Sequence, residues 1–373
     1  MHRSHIRSTA AVGVALVVAL VGCGDDQVDT GAIERGLEQI PSSVYRDADG
    51  SSPVIEISDF VAMSELLDLQ VPAPGRDSDE VLDSLVELTG GRPADTSQVA
   101  AVWSIDPSPA TARPDDFESE IGLDIGAIET YAGISALPTS FSVFTGDLEL
   151  SSSLDEIGGG VLTLGGGDDF ERDVDGVSPL RRIGLPLRLG QRDGAVATST
   201  LTPAIESWLE DDAESLADDD RFVEVARAMD RVGAPTAVIV ERDFRFDPAA
   251  ILGAGVTPEQ AERLLEEFEG SAVDEPFRIV GVGGAEIDGE ASIVAVYLFA
   301  SDDDAAESVD SIEELWSDTV LASIQQPVSE LVDLESAVAE GSVVTVVARP
   351  LDGRSTQLGI QFLFRSDVMF QHR

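Results

Sequence analysis

Val54-Ile55-Glu56-Ile57-Ser58-Asp59-Phe60 alternates apolar and polar residues at period two, the pattern of a half-buried β-strand. Val238-Ile239-Val240-Glu241-Arg242-Asp243-Phe244 repeats its outline, down to the closing Asp-Phe. Each is followed by an acidic amphipathic helical segment. The first, Asp79 to Leu88, sets Val81, Leu82, Leu85, Val86 and Leu88 at helical spacing, and the second opens with a capping box at Thr257-Pro258-Glu259-Gln260. The echo has two readings, a diverged internal duplication and a coincidence, and both stay open on the sequence. The pattern predicts an α+β fold with two lobes of mixed, mainly antiparallel sheet and packed helices. Lobe 1 covers 37–234 and lobe 2 covers 235–373, with a seam of the kind where ligands bind.

Working outward in lobe 1, Val99 to Ile105 and Ser140 to Thr145 read as strands, and Phe117 to Tyr131 as a helix interrupted by Gly122 and Gly126. Val161 to Leu164, Leu185 to Leu189 and Ala195 to Thr198 read as short strands between turns. Thr202-Pro203 opens a helix through Leu209, with Thr202 at the N-cap. Ser215 to Asp218 precedes another helix, whose Phe222, Val225, Met229 and Val232 recur at three and four.

In lobe 2, Phe277 to Val282, Ile293 to Phe299, Val343 to Ala348 and Leu358 to Phe364 read as strands. A long helix is predicted from a cap at Ser301, with Asp302 to Asp304 complementing its dipole. Val309, Ile312, Trp316, Val320 and Ile324 form its apolar stripe, and Pro327 breaks or kinks it.

Charge narrows the partners. The chain has 373 residues, with 71 acids against 23 basic residues, all of them Arg, and contains neither Lys nor Asn. A formal charge of −48 lacks the basic footprint that phosphate backbones require, so nucleic acid is excluded as a partner. Anionic headgroups would be repelled as well. An acidic, Lys-free surface fits a high-GC genome and salt adaptation, with cation attraction as the functional alternative.

The first residues carry an address. Arg3 and Arg7 precede the uncharged apolar run Thr9 to Val21, which is shorter than the roughly twenty residues a spanning helix needs. Leu20-Val21-Gly22-Cys23 resembles the lipobox of bacterial lipoproteins. The resemblance implies cleavage of signal peptide 1–22, acylation of Cys23, and a membrane-anchored, extracytoplasmic protein in the cell envelope. Residues 23–36, beginning with the polar stretch Gly24 to Gly31, would form a flexible tether. Cys23 is the only cysteine, so no internal disulfide is available and stability must come from packing. The layout, including Ser215 to Asp220 (SLADDD), also resembles uncharacterised envelope lipoproteins of high-GC actinobacteria, a likeness that brings no active residues.

Catalytic chemistry is constrained by what is missing. Of His2, His5 and His372, two leave with the leader and the third stands next to last, where fraying is expected. A Ser-His-Asp triad, a Cys nucleophile, a Ser-Lys dyad and a P-loop therefore lack a needed residue, as do His/Cys sites for zinc or copper. Trp208, Trp316 and Tyr297 lie on apolar stripes and read as core, leaving few aromatic platforms for a glycosidase.

Three lookalikes are discounted. Val28-Asp29-Thr30-Gly31-Ala32 has the aspartic-protease signature but sits in the tether without a second copy. Gly281-Val282-Gly283-Gly284 reads as a hairpin or bulge, not a dinucleotide loop, because Glu286 to Gly289 is a turn. Asp47-Ala48-Asp49-Gly50 followed by Glu56 has calcium-loop spacing but Tyr45 at the first position, and Asp173-Val174-Asp175-Gly176 has Arg182 where the terminal acid would stand, so both read as acidic turns, leaving only weak peripheral Ca2+ or Mg2+ binding.

The expectation is a non-enzymatic lipoprotein, with no catalytic, cofactor or metal residues assigned, that binds or scaffolds an envelope partner. A solute-binding lipoprotein of a transporter is the second reading and a carboxylate-based hydrolase the third.

Overall fold

β1 (Val54–Asp59) lies at the middle of the molecule because both its faces are covered. Ile55 and Ile57 point to one face of a sheet, and Glu56 and Ser58 point to the other. The computed structural model describes residues 30–46, 52–71, 73–91, 97–136, 139–246, 257, 259, 262, 272–321, 324 and 326–373. Among them, residues 31–373 form one compact unit.

The first half of the unit holds helices α1 (Ala32–Glu38), α2 (Ser42–Arg46), α3 (Phe60–Leu66), α4 (Ser78–Leu88), α5 (Pro114–Ile121), α6 (Thr202–Leu209) and α7 (Asp220–Arg231). Its strands after β1 are β2 (Ile128–Ala136), β3 (Thr139–Gly146), β4 (Asp155–Gly158), β5 (Val161–Leu164), β6 (Leu187–Arg192) and β7 (Ala195–Ser199). The second half holds β8 (Thr236–Glu241), β9 (Phe277–Ile287), β10 (Glu290–Phe299), β11 (Val320–Leu321), β12 (Gln326–Pro327), β13 (Val332–Glu340) and β14 (Val343–Pro350), with α8 (Asp302–Ser317) and α9 (Gln357–Phe364). β11 and β12 pair separately, and the other strands form one antiparallel sheet in the order β13-β14-β10-β9-β8-β1-β2-β3-β7-β6-β5-β4.

Read outward from its centre, that order repeats. β1-β2-β3-β7-β6 on one side has the connectivity of β8-β9-β10-β14-β13 on the other, and β5 and β4 extend the first side alone. β1 and β8 pair antiparallel, with Val54 opposite Val240, Ile55 opposite Ile239 and Ser58 opposite Thr236. The echoed segments are therefore the two central strands, related by an approximate two-fold axis. The boundary expected between 234 and 235 falls between α7 and β8, where the halves join as neighbouring strands of one sheet.

One face of the sheet has a core common to both halves. Ile55, Ile57, Ile134, Phe141, Ile239, Ile279, Val294 and Val296 pack there beneath α1, α6 and α7. Each such aliphatic side chain contributes about 1.5–3 kcal/mol of burial. The opposite face carries two separate clusters. Trp103 sits among Phe60, Phe117, Tyr131 and Phe144 over the first half, with ring centroids 5.3–6.1 Å apart. Tyr297, Phe277, Trp316 and Phe370 cover the second half, where Trp316 Nε1 donates to Tyr297 Oη at 2.9 Å. Between these clusters, behind β1, lies the seam.

Two helices are capped by distant aspartates. Asp230 of α7 accepts from Ile33 N (2.9 Å) and Glu34 N (3.0 Å) at the start of α1, where the chain enters the body. Asp169 accepts from Thr202 N (2.9 Å) and Thr202 Oγ1 (2.6 Å) at the start of α6, and from Arg188 Nε at 2.8 Å. Each satisfies N–H groups that a helix start leaves open.

Several sequence expectations are corrected. Residues 32–36, assigned to the tether, form the start of α1, with Gly31 as its N-cap. Thr202 is inside α6, whose N-cap is Leu201. α5 stops at Gly122, whose φ of 79° closes the helix in the left-handed region, and Ile128 to Tyr131 belong to β2. α8 is capped by Ser301 as expected but ends at Ser317, leaving Val320 and Ile324 exposed outside it. Leu358 to Phe364 is helical, and Val99 to Ile105 is extended without joining the sheet. Gly281, Gly283 and Gly284 are interior to β9, where bare backbone lets α7 and Thr356 approach, and the turn follows at Asp288-Gly289. Cys23, Asp47 to Gly50 and half of the capping box at 257–260, Pro258 and Gln260, lie outside the described residues.

Candidate functional site

The seam is closed by residues 97–107, which cross the back of β1. Lacking a strand partner, their N–H groups are met largely by side chains, as buried backbone donors require. Thr356 Oγ1 accepts from Ala100 N at 3.0 Å. Ser58 Oγ accepts from Val102 N at 2.9 Å and donates to Val102 O at 2.8 Å. Glu56 Oε2 accepts from Ser104 N (2.7 Å) and Ile105 N (3.3 Å), and Glu56 Oε1 from the Ser104 hydroxyl. The outward face of β1, polar where its inward face is apolar, thus takes the place of an adjacent strand.

Glu56 is 2% exposed, and Tyr131 Oη lies 3.4 Å from its Oε2. Burial, and next the Glu56 charge, push the Tyr131 phenol well above its usual range. Tyr131 remains a neutral donor.

Two cavities flank the crossing segment, one of about 650 Å3 and one of about 330 Å3. Glu56, Ser104 and Phe364 line both. The smaller one is mostly apolar, between Leu82, Leu85, Val86 and Trp103 on one side and Val238 and Ile360 on the other. The larger has two unlike walls. The crossing segment supplies Ser104, Ile105, Asp106 and Pro107, and residues 179–187 supply Leu180, Arg181, Arg182, Ile183 and Leu185. Hydroxyl groups of Ser135, Thr139, Ser140 and Thr200 complete the lining, and Thr200 Oγ1 is buried without a hydrogen-bond partner among the described residues.

The second wall is folded around Arg181. Its Nε donates to Leu185 O (3.0 Å) and its Nη2 to Gly184 O (3.2 Å), while the guanidinium fills space that a Cβ on Gly165 would occupy. Arg182 reaches across to Asp106 at 3.7 Å, with both side chains 57% exposed.

The remaining sequence candidates lie elsewhere. His372 is 4% exposed, not frayed: its N–H donates to Phe244 O and its carbonyl accepts from Phe246 N. Its Nε2 stands 3.6 Å from Asp243 Oδ1, and it lines neither cavity. Asp173 accepts from Asp175 N at 3.1 Å, the ordinary bond of an acidic turn. Among the described residues no three His, Cys, Asp or Glu side chains gather as metal ligands, and no helix is long and apolar enough to cross a membrane. Trp208, Trp316 and Tyr297 are buried.

The residues that build the seam were not read as a site in the sequence, where Glu56 and Arg182 figured only in the discounted calcium-like turns. Glu56 had a signal, being a carboxylate at an interior position of an alternating strand. Arg181 and Arg182 had none beyond adjacency. Comparison with known protein families, with characterised proteins and with solved structures finds no match.

Proposed function

We propose that the chain is a lipid-anchored extracytoplasmic protein of the cell envelope, without catalysis of its own, whose body binds a small solute in the larger seam cavity. The observation that carries this reading is the cavity itself. Its volume of about 650 Å3 is that of a small-molecule site, apolar for the most part with a few convergent polar groups. The lipobox at Leu20 to Cys23 supports the anchoring, and the scarcity of His and Cys supports binding over chemistry.

A protein partner is favoured by a second observation. Phe170, Val174, Val177 and Ile183 are all more than half exposed on the stretch leading to the Arg181 wall, and Ile183 also lines the cavity. Apolar side chains at a cavity rim suit a docking partner that takes up or delivers the solute.

Native mass spectrometry of the chain extracted from its own membrane tests both readings. A small molecule travelling with the protein supports solute binding. A polypeptide partner with nothing small supports the scaffold reading instead. An unacylated N-terminus overturns the anchoring.

A further inference from the structure

The body contains two buried arginines among its described residues, and they are treated differently. Arg188, 2% exposed, is paired with Asp169 at 2.8 Å and also donates to Gly167 O and Thr163 Oγ1. Arg181, 8% exposed, has two carbonyl acceptors and no directly bonded carboxylate among the described residues, although Asp173 approaches it from beyond Gly176. In a chain with 71 acids this is the less expected arrangement.

Burying a guanidinium without a directly bonded carboxylate is costly, and carbonyl oxygens satisfy N–H groups without neutralising the cation. Arg182 is the next residue and lines the same wall. Its bond to Asp106 is long and exposed, the kind of pair that contributes little and exchanges readily. Apart from Asp106 and Glu56, whose carboxylate is taken up by Ser104 and Ile105, the rest of the lining is apolar or hydroxylic, Leu180, Leu185, Leu187 and Thr200 among it.

We propose that the larger cavity binds an amphiphilic anion, a carboxylate or phosphate head on an apolar body, with the head at Arg181 and Arg182. The inference deepens the solute-binding reading and rests on it. The head supplies the directly bonded oxyanion that Arg181 lacks and displaces Asp106 from Arg182. Planar guanidinium groups suit either oxyanion, since both present paired oxygen acceptors. The apolar body then covers Ile105, Leu180, Leu185 and Phe364.

Calorimetric titration of the full chain in phosphatidylcholine nanodiscs, with empty nanodiscs as the blank, tests this with octanoate, octyl phosphate and octanol. An anionic head held by charge-assisted hydrogen bonds is expected to bind about 10- to 100-fold more tightly than the matched alcohol. Arg181→Met should abolish that ratio and Arg182→Gln should reduce it, and the ranking of octanoate against octyl phosphate identifies the head. Circular dichroism reports whether Arg181→Met stays folded; if it does not, Arg182→Gln and the anion-to-alcohol ratio of the parent decide. Equal binding of all three probes, or no binding of the two anions, overturns the inference. A neutral or cationic molecule released from the native protein would overturn it too, while leaving solute binding intact.

Discussion

Ile55 and Ile239 stand directly opposite each other where β1 meets β8, and each is the second residue of its own copy of the repeated motif. The approximate two-fold axis passes through this pair. Both side chains enter the one core that spans the two halves, Ile55 at 1% exposure and Ile239 at 0%. Truncating either to Ala is expected to cost about 2–4 kcal/mol by loss of burial and an unfilled cavity. Because the two are in contact, the double variant should depart from additivity by at least about 0.5 kcal/mol. Urea unfolding followed by Trp fluorescence measures this, and additive costs would contradict direct packing at the axis.

Asp169 is held below the usual aspartate range. Burial opposes ionisation, but the Thr202 hydroxyl and N–H and the Arg188 guanidinium outweigh it. A depressed folded-state pKa gives stability that is complete above the ordinary aspartate range of about 3.9 and is lost as pH falls through the lower, folded value. Asp169→Asn should flatten this acid limb of the stability curve. It should also cost about 3 kcal/mol at neutral pH, since Arg188 would remain buried without its partner. An unchanged pH dependence in urea denaturation would count against the assignment.

The alkaline limb has the opposite sign. Tyr131 and Tyr297 are fully buried and their phenols are raised, Tyr131 by burial and the Glu56 charge and Tyr297 by burial. Stability from these neutral phenols is complete below the free tyrosine pKa of about 10 and is lost as pH rises through the higher folded values. Glu56→Gln removes the charge that adds to burial in raising Tyr131, so that variant should lose less stability between neutral and alkaline pH than the parent. At neutral pH it should still be less stable, by about 1–3 kcal/mol, because the crossing segment loses charge-assisted acceptors. Thermal melts across the alkaline range separate the two effects.

Asp230 holds the first turn of α1 from a distant helix. Asp230→Ala should cost about 1 kcal/mol, as for loss of an N-cap, and raise hydrogen exchange at the amides of Ile33 and Glu34 ahead of the sheet. Exchange that rises uniformly across the body would show instead that α1 does not open on its own.

How much of this could be read from the chain depended on where each segment's hydrogen bonds go. Segments whose bonds stay within a ladder were legible from composition, β3 by its alternation and β8 and β14 as short runs rich in β-branched residues. Leu358 to Phe364 is apolar on nearly every side, so periodicity could not tell the short helix from a buried strand. Val99 to Ile105 has strand composition, but its donors are met by Thr356, Ser58 and Glu56, residues far away in sequence. β13 was missed because it is an edge strand, with Asp333, Val338 and Glu340 open to solvent. The site suffered most, since it is assembled from one carboxylate of β1, a crossing segment and an arginine loop that share no local pattern.

The chain enters the body at α1, which packs over Ile57 on the common face, while the cavities open behind Glu56 on the opposite face. On the proposed anchoring, attachment and loading then use opposite sides of one sheet. Cargo can then come and go without the attached face of the sheet taking part.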